Sequence, residues 1–363
     1  MNADRSLGAR NDARCASIEH KLGIHASPTC VMVYGDHEGA VGYLVGEENR
    51  GLAAMFVMMN SARLAVGLQG VAIAERAYQH ALAYARDRRQ GRAAGAGAAM
   101  SPIVEHADVQ RMLLTMKASL QAARGICHLT GVSIDRSFHG KTKEERQAAA
   151  ERAALLTPIA KAFSTDIGDE AASLGVQVHG GMGFIEETGA AQHLRDSRIA
   201  AIYEGANGIQ AIDLVTRKLP LSGGATVKRE IEGIKAMAAR VEAEGGAEYG
   251  ATAARLSEAA NALEGATDYL LGALVNNQEA ALAGASPYLR LFGLALGGAC
   301  LAKAALAAQQ LAAEAGGASA AGRVALARFF AEKLTPAAQG LARSVEAGAD
   351  SFGDINAALG EAA

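Results

Sequence analysis

The chain has 363 residues, half of them apolar and 20% charged, which is enough apolar material for a sizeable core and argues against intrinsic disorder. Lys plus Arg at 35 against Asp plus Glu at 38 leave a formal charge of −3, so no general polyanion binding is expected, neither to nucleic acid nor to an acidic membrane surface. Aromatics make up only 4% and Trp is absent, which favours closely packed helices over a sandwich of bulky β-formers and predicts a mainly α protein.

The opening fifteen residues mix Arg and Asp without an apolar targeting segment, and charges such as Arg63, Arg290 and Lys303 are expected to interrupt each hydrophobic stretch before it reaches membrane-spanning length. Cys15, Cys30, Cys127 and Cys300 lie far apart with no C-x-x-C pair, so they read as reduced thiols in a soluble, cytoplasmic chain. Residues 16 to 46 carry the strand signals: Thr29 to Tyr34 and Val41 to Val45, bounded by turn formers at Pro28, Gly35-Asp36 and Gly46. Two or three short strands bury too little to stand alone, so they read as the remnant of a larger β-domain, residues 1–50.

From Gly51 to about Gln90 the apolar residues recur at three- and four-residue steps, with Arg63 on the apolar stripe. A second helix is predicted from Ser101-Pro102 to about Gly131, Ser capping and Pro at the first helical position. A third starts at Thr142, with Glu145 completing a capping box, and runs towards His179 with a kink or restart expected at Thr157-Pro158. Gly180 to Gly183 must turn; a short helix then runs through Leu194 to Ile199, and a last one follows Tyr203-Glu204-Gly205 and reaches Lys218. These make a helical bundle over 51–218. Residues 219–226, with Pro220 and Gly223-Gly224, read as a linker, and 227–363 as an additional helical domain of about four blocks broken at Gly245-Gly246, Ser286-Pro287 and Gly316-Gly317.

Neither a Walker loop, an H-E-x-x-H pair nor a G-x-S-x-G elbow occurs, and the nine histidines lack ligand spacing, so no metal is expected. His20, His25 and His179 read as structural. One segment stands apart, from Leu194 to Gln210, in which Glu204 sits between Tyr203 and Gly205 at a chain reversal. A carboxylate drawn out of water there becomes a stronger base, and the glycine after it lets a ligand come close, as abstraction of a proton from carbon requires. The other reading is a helix N-terminal acid satisfying free amides.

The run Arg195-Asp196 with Ile202-Tyr203-Glu204-Gly205 and Ile209-Gln210 resembles the signature that ends the catalytic domain of acyl-CoA dehydrogenases. It is joined in order by Gln177-Val178-His179-Gly180-Gly181-Met182-Gly183-Phe184, similar to that family's Gln-x-x-Gly-Gly-x-Gly-Phe turn. Lys21-Leu22-Gly23 with Ser27 and Thr29, Gly46 to Gly51, and Ala85 to Gly91 agree as well. The resemblance spans roughly residues 16 to 218, and the helices beyond resemble the extra C-terminal domain of the family's larger branch, which includes enzymes acting on methylthio-substituted propanoyl-CoA.

What the resemblance implies is FAD-dependent α,β-dehydrogenation of an acyl-CoA, with Glu204 as the base for the α-proton and the flavin as hydride acceptor. It implies Arg88 on the FAD pyrophosphate across a subunit boundary, and Gln177, Gly180 and Gly181 supporting the adenine dinucleotide part of a neighbouring copy's flavin. Arg63, Tyr203 and Gly205 fall at the acyl site, and a homo-oligomer and an electron-transfer flavoprotein as acceptor follow by the same resemblance. From the residues alone, Arg88 also reads as a solvated helix-end charge, the 177–181 turn as a helix C-cap, and Arg63 as a purely structural buried cation. Ala206 stands where the family has Thr, Gly208 where it has a flavin-contacting Gln, and Gln90-Gly91 where it has Phe-Gly. Family members carry a helical domain and most of a β-domain ahead of the region resembled here, so an N-terminally truncated member is expected. A different class stays open beside it: a non-catalytic helical oligomerisation protein retaining part of the flavin site.

Overall fold

A computed structural model describes residues 4–97, 99–315, 319–353 and 355–360. The chain divides into two compact units, Met1–Asn60 and Ser61–Ala363. In the first, β1 (Ala13–Ile18) and β2 (Cys30–Tyr34) form an antiparallel hairpin with an irregularity between Cys15 and Ser17. Only Ala13 and Val33 of the two strands are even half-buried. The strand expected at Val41 to Val45 does not form. The Asn11 side chain takes both the amide of Val41 (2.9 Å) and its carbonyl (2.8 Å), so a side-chain amide stands in for a neighbouring strand. Val41, Tyr43, Leu44 and Val45 are consequently 64% to 88% exposed. The strand at Ala13–Ile18 was not foreseen, because Arg14 and Ser17 break its apolar alternation.

The second unit is helical. α1 (Gly51–Asp87) enters it at Ser61, followed by α2 (Ala107–His139) and α3 (Lys143–His179). Gly67 lies against Ala160 and Cys127, and Gly175 against Ala77 and Met116, so α1 and α3 run parallel with α2 antiparallel to both. α2 begins later than expected, because Ser101 and Pro102 belong to a paired loop. The amide of Ile103 donates to Arg88 O (2.8 Å), that of Gln90 to Ser101 O (3.0 Å), and the Ser101 hydroxyl accepts from Ala93 N (3.3 Å) instead of capping a helix. Gly131 does not end α2, which continues to Gly140. At α3 the Thr142 hydroxyl accepts from Glu145 N (3.1 Å), while the Glu145 carboxylate reaches back to Lys141 N (2.9 Å), a capping box shifted by one residue. Pro158 causes no break: α3 is continuous through it, buried on all sides there, and the Thr157 hydroxyl bonds to Ala153 O (2.7 Å).

Past α3, a 3₁₀ turn over Gly180–Phe184 leads to α4 (Ala190–Ser197), a second 3₁₀ turn at Arg198–Ala201 and α5 (Asn207–Asp213), which continues as a π-turn over Leu214–Lys218. The residues read as a linker are packed: Leu219, Gly224 and Thr226 are buried. Beyond them come α6 (Ala225–Glu244), α7 (Thr252–Asn276), α8 (Gln278–Ala283), α9 (Ala285–Ala315), α10 (Ser319–Phe329), α11 (Ala337–Glu346) and α12 (Ile355–Leu359). These are more helices than the four blocks predicted, and the break expected at Gly316-Gly317 falls outside the described residues. The break expected at Ser286-Pro287 falls two residues earlier, at Gly284 between α8 and α9, and Pro287 sits in the first turn of α9, where its missing N–H is not needed.

Among the described helices, Ala285–Ala312 of α9 is long and apolar enough to cross a membrane, so Arg290 and Lys303 do not interrupt it as the charge pattern suggested. It is instead the central strut of this unit. It packs against α2, α3, α5, α6, α7, α10 and α11, and 72% of its most apolar window is buried. The C-terminal helices thus share one core with α2 and α3.

The α1–α3 contact is made backbone to backbone. A Cβ on Gly70 would lie 2.3 Å from Ser164 O, and one on Gly168 would lie 3.1 Å from Gly70 Cα. Neither neighbour is a side-chain tip that can swing away. Gly70→Ala is expected to lower the unfolding free energy by about 1–3 kcal/mol through overpacking. Gly272→Ala, in an α7 position with nothing within 4 Å, is expected to raise it by about 0.5–1 kcal/mol. Urea denaturation of the two variants checks the contrast.

Candidate functional site

Glu204 and Gly205 lie between the 3₁₀ turn at Arg198–Ala201 and α5, and both have left-handed backbones, with φ of +56° and +86°. For glycine this is free. For a glutamate it is a conformation that the surroundings must hold in place. Those surroundings are polar and mostly buried. The Gln210 side chain donates to Gly205 O (3.2 Å), and a Cβ on Gly205 would lie 3.7 Å from Arg63 Nη2. Arg63, 6% exposed, reaches from α1 and pairs with Asp213 of α5 (3.6 Å), which also holds Arg217 (2.5 Å) and Lys218 (3.8 Å). Its place on the apolar stripe is thus explained by a buried partner. Arg63 Nε and Gln210 Oε1 are buried and have no hydrogen-bond partner among the described residues, so the floor beneath Gly205 has unused donor and acceptor capacity. Tyr203 is half-buried, and its hydroxyl donates to the Gln69 side chain on α1.

Two residues that the sequence analysis left aside complete this cluster. Lys161 of α3 is fully buried, and its ammonium donates to Asn207 Oδ1 (2.9 Å). Asn207 in turn donates to Asp166 Oδ1 (2.6 Å), Thr165 Oγ1 (3.0 Å) and Ala162 O (3.2 Å). Burial pushes the Lys161 amine down to about 8; Asp166 and Glu204 pull it back up, and Arg63 presses it further down. Burial also raises Asp166 above the usual carboxylate range, against the pull of Asn207 and Arg290. A lysine inside the apolar run Leu155 to Phe163 was the signal available in the sequence.

The remaining expected site residues gather elsewhere. Arg88 follows the C-terminal end of α1; its carbonyl is taken by Ile103, and its exposed guanidinium has no acceptor among the described residues. Gln177 lies in the last turn of α3, with its carbonyl accepting from Gly180 N, and Gly180 (φ +59°) and Gly181 have nothing within 4 Å of where a side chain would stand. His179 fixes this turn beside the end of α1: its ring stacks on Tyr84 (4.4 Å) and meets His80 edge-on (4.6 Å), and its Nδ1 donates to Gly175 O (2.7 Å). Its expected structural role agrees with these contacts. About 36 Å of helix axis separates Arg63 from Asp87. The expected residues therefore fall into two groups, one near each end of the parallel α1–α3 pair.

Both groups lie in one segment that has relatives. Residues 49–219 match the family described as "Acyl-CoA dehydrogenase, C-terminal domain", and residues 230–356 match "Acetyl-CoA dehydrogenase C-terminal like". The chain belongs to the acyl-CoA dehydrogenase family. It is 51% identical over 285 residues to 3-methylmercaptopropionyl-CoA dehydrogenase of Ruegeria pomeroyi, an alignment covering 78% of this chain and 48% of that protein. It is 36% identical over 235 residues to a butyryl-CoA dehydrogenase of Syntrophomonas wolfei, covering 63% and 38%. The chain thus spans about half or less of the length of these acyl-CoA dehydrogenases. Two solved structures share the fold. An acyl-CoA dehydrogenase from Bacillus anthracis complexed with FAD superposes with a TM-score of 0.68 at 21% identity, over 92% of this chain and 56% of that one. Caenorhabditis elegans ACDH-11 in complex with C11-CoA gives 0.69 at 18%, over 95% and 55%.

The histidines at the 177–181 turn give this end a pH dependence. His80 and His193, whose rings lie 5.6 Å apart, are both held below the ordinary imidazole value. Burial is the largest cause for each; His179, His193 and Arg76 add to it for His80, and Arg76 and His179 for His193, against Asp196. The unfolded chain therefore takes up these protons more readily than the folded one. Their contribution to stability is complete above about 6.5 and is lost as pH falls from there through the folded values. The urea midpoint should drop between pH 7.5 and 5.5, and the drop should shrink in His80→Gln. An equal drop in that variant would contradict the assignment.

Proposed function

We propose that this chain, as a dimer or larger homo-oligomer, carries out the FAD-dependent α,β-dehydrogenation of an acyl-CoA thioester, with Glu204 removing the α-proton. One observation carries the reading: in a chain of this family, the glutamate of the Ile-Tyr-Glu-Gly run is held in a left-handed turn over buried polar groups with unused bonding capacity. Glycine at 205 lets the Gln210 amide and Arg63 close in under the turn, since a Cβ there would lie 2.6 Å from Gln210 Nε2 and 3.7 Å from Arg63 Nη2. Tyr203, kept in place by Gln69, walls the approach. Arg63 contributes a buried positive charge on the side where the thioester carbonyl becomes enolate-like.

The two groups fit FAD best as parts of two copies. Arg88 offers a guanidinium fork for two phosphate oxygens, and Gln177, Gly180 and Gly181 offer open backbone for the adenine half. They would hold the dinucleotide whose ring serves Glu204 of another copy. When bound, FAD supplies the acceptor for the β-hydrogen, which leaves as hydride. An electron-transfer flavoprotein as the next acceptor follows from the family resemblance. Likeness to 3-methylmercaptopropionyl-CoA dehydrogenase supports that thioether acyl-CoA as the first substrate to try, with butyryl-CoA second.

A hairpin with both faces exposed favours a second reading, in which the chain is a non-catalytic oligomerisation protein. The two are separated by reconstituting purified protein with FAD and adding the acyl-CoA without oxygen. The enzymatic reading expects a yellow protein whose flavin absorbance bleaches, and a loss of about 10²–10⁴-fold in bleaching rate in Glu204→Gln. A colourless preparation supports the second reading; bleaching undiminished in Glu204→Gln removes Glu204 as the base.

A further inference from the structure

We infer that Lys161, tied through Asn207 to the turn that carries Glu204, is a positioning residue that keeps a positive charge beneath that glutamate and anchors its left-handed backbone. The inference deepens the proposed role of Glu204 and rests on it for its catalytic meaning.

Asn207 is the first residue of α5 and stands three residues after Glu204. Its side chain does not cap α5. It points into α3, where it accepts from Lys161 Nζ and from Thr165 Oγ1 (3.3 Å) and donates to Asp166, Thr165 and Ala162. One amide thus fastens the start of α5 to more than a full turn of α3, from Lys161 to Asp166. Between this anchor and the preceding 3₁₀ turn, the chain must reverse within Tyr203 to Ala206, and it does so with two successive positive φ values. A free glutamate would relax out of that conformation; the anchored one cannot without breaking the amide's bonds.

The charge arrangement gives the anchor a second effect. The groups facing the Lys161 amine are Arg63 from α1, Asp166 from its own helix and Glu204 from the turn. Asp213 of α5 is taken up with Arg63, Arg217 and Lys218, and Arg290 of α9 is shared between Asp166 and Glu170. A fully buried ammonium whose hydrogen-bond acceptor is a neutral amide has its opposite charge supplied by carboxylates a short way off, and Glu204 is one of two. Glu204 is therefore one of the carboxylates that hold the proton on Lys161.

The test needs neither flavin nor activity. Protein with isotope-labelled lysine is titrated by NMR, with the Lys161 signal assigned by its disappearance in Lys161→Met. The wild-type midpoint is expected near 8, and it should move to lower pH in Glu204→Gln, since one of the two carboxylates that hold the proton is gone. Glu204→Ala serves if the glutamine variant fails to fold. In Asn207→Ala the effect of removing Glu204 should shrink, because the turn is no longer fastened to α3. A purely structural lysine would keep the same midpoint in all Glu204 variants, and that result overturns the inference. The outcome is separable from the proposed function: an unmoved midpoint in a protein whose flavin still bleaches removes the role of Lys161 alone, whereas a colourless protein leaves the titration readable.

Discussion

Two cations, Arg63 and Lys161, are buried where α1, α3 and α5 meet, and a buried cation without partners costs several kcal/mol. Their partners arrive from different elements: Asp213 and Asn207 from the two ends of α5, Asp166 from α3. The three helices must therefore hold one register. The glycine contact between α1 and α3 sets it, by letting the two backbones touch at Gly70 and Gly168. The strained turn at Glu204 and Gly205 is a consequence, for α5 is fastened to α3 at its first residue and paired with α1 at its last.

The same register has an effect at a distance. Because α1 and α3 run parallel and stay in contact from Gly67 and Ala160 to Tyr84 and His179, their C-terminal ends come together and place Arg88 near the Gln177–Gly181 turn. The histidine and tyrosine rings seal that end with weaker and titratable contacts. One end of the pair is thus fixed by buried charge and the other by stacked rings, with the Glu204 carboxylate at the first, and at the second open backbone and a guanidinium that has no acceptor among the described residues. The ribityl chain between a flavin ring and its pyrophosphate spans far less than the roughly 36 Å of helix axis between the two ends, so in the proposed reading the two ends serve one FAD only as parts of two copies.

Much of this was legible in the sequence where a single residue type had one physical outcome. Thr142 with Glu145 marked the start of α3, and Arg63 on an apolar stripe called for either a buried partner or a side chain that escapes to an edge, of which the Asp213 pair is the first. Lys161 lay in view inside an apolar run, but its meaning depends on Asn207, which is 46 positions away in the chain, and no local pattern links them. The hairpin was partly misread for a similar reason: whether Val41 to Val45 becomes a strand depends on a neighbouring backbone, and Asn11 supplies a side chain instead. The start of α2 was misplaced because Ser101 and Pro102, good opening residues for a helix, are held by a loop that pairs back to Arg88.

The central claim is that Glu204 of one copy works on a cofactor held by Arg88 of another. Co-expression of Arg88→Glu and Glu204→Gln chains, followed by FAD reconstitution and addition of acyl-CoA, tests it most directly. Mixed dimers carry one site with both native residues, so a bleaching phase at the wild-type rate should return with roughly a quarter of the wild-type amplitude, a phase that neither variant shows alone. Mixed protein no more active than either variant alone would contradict the claim.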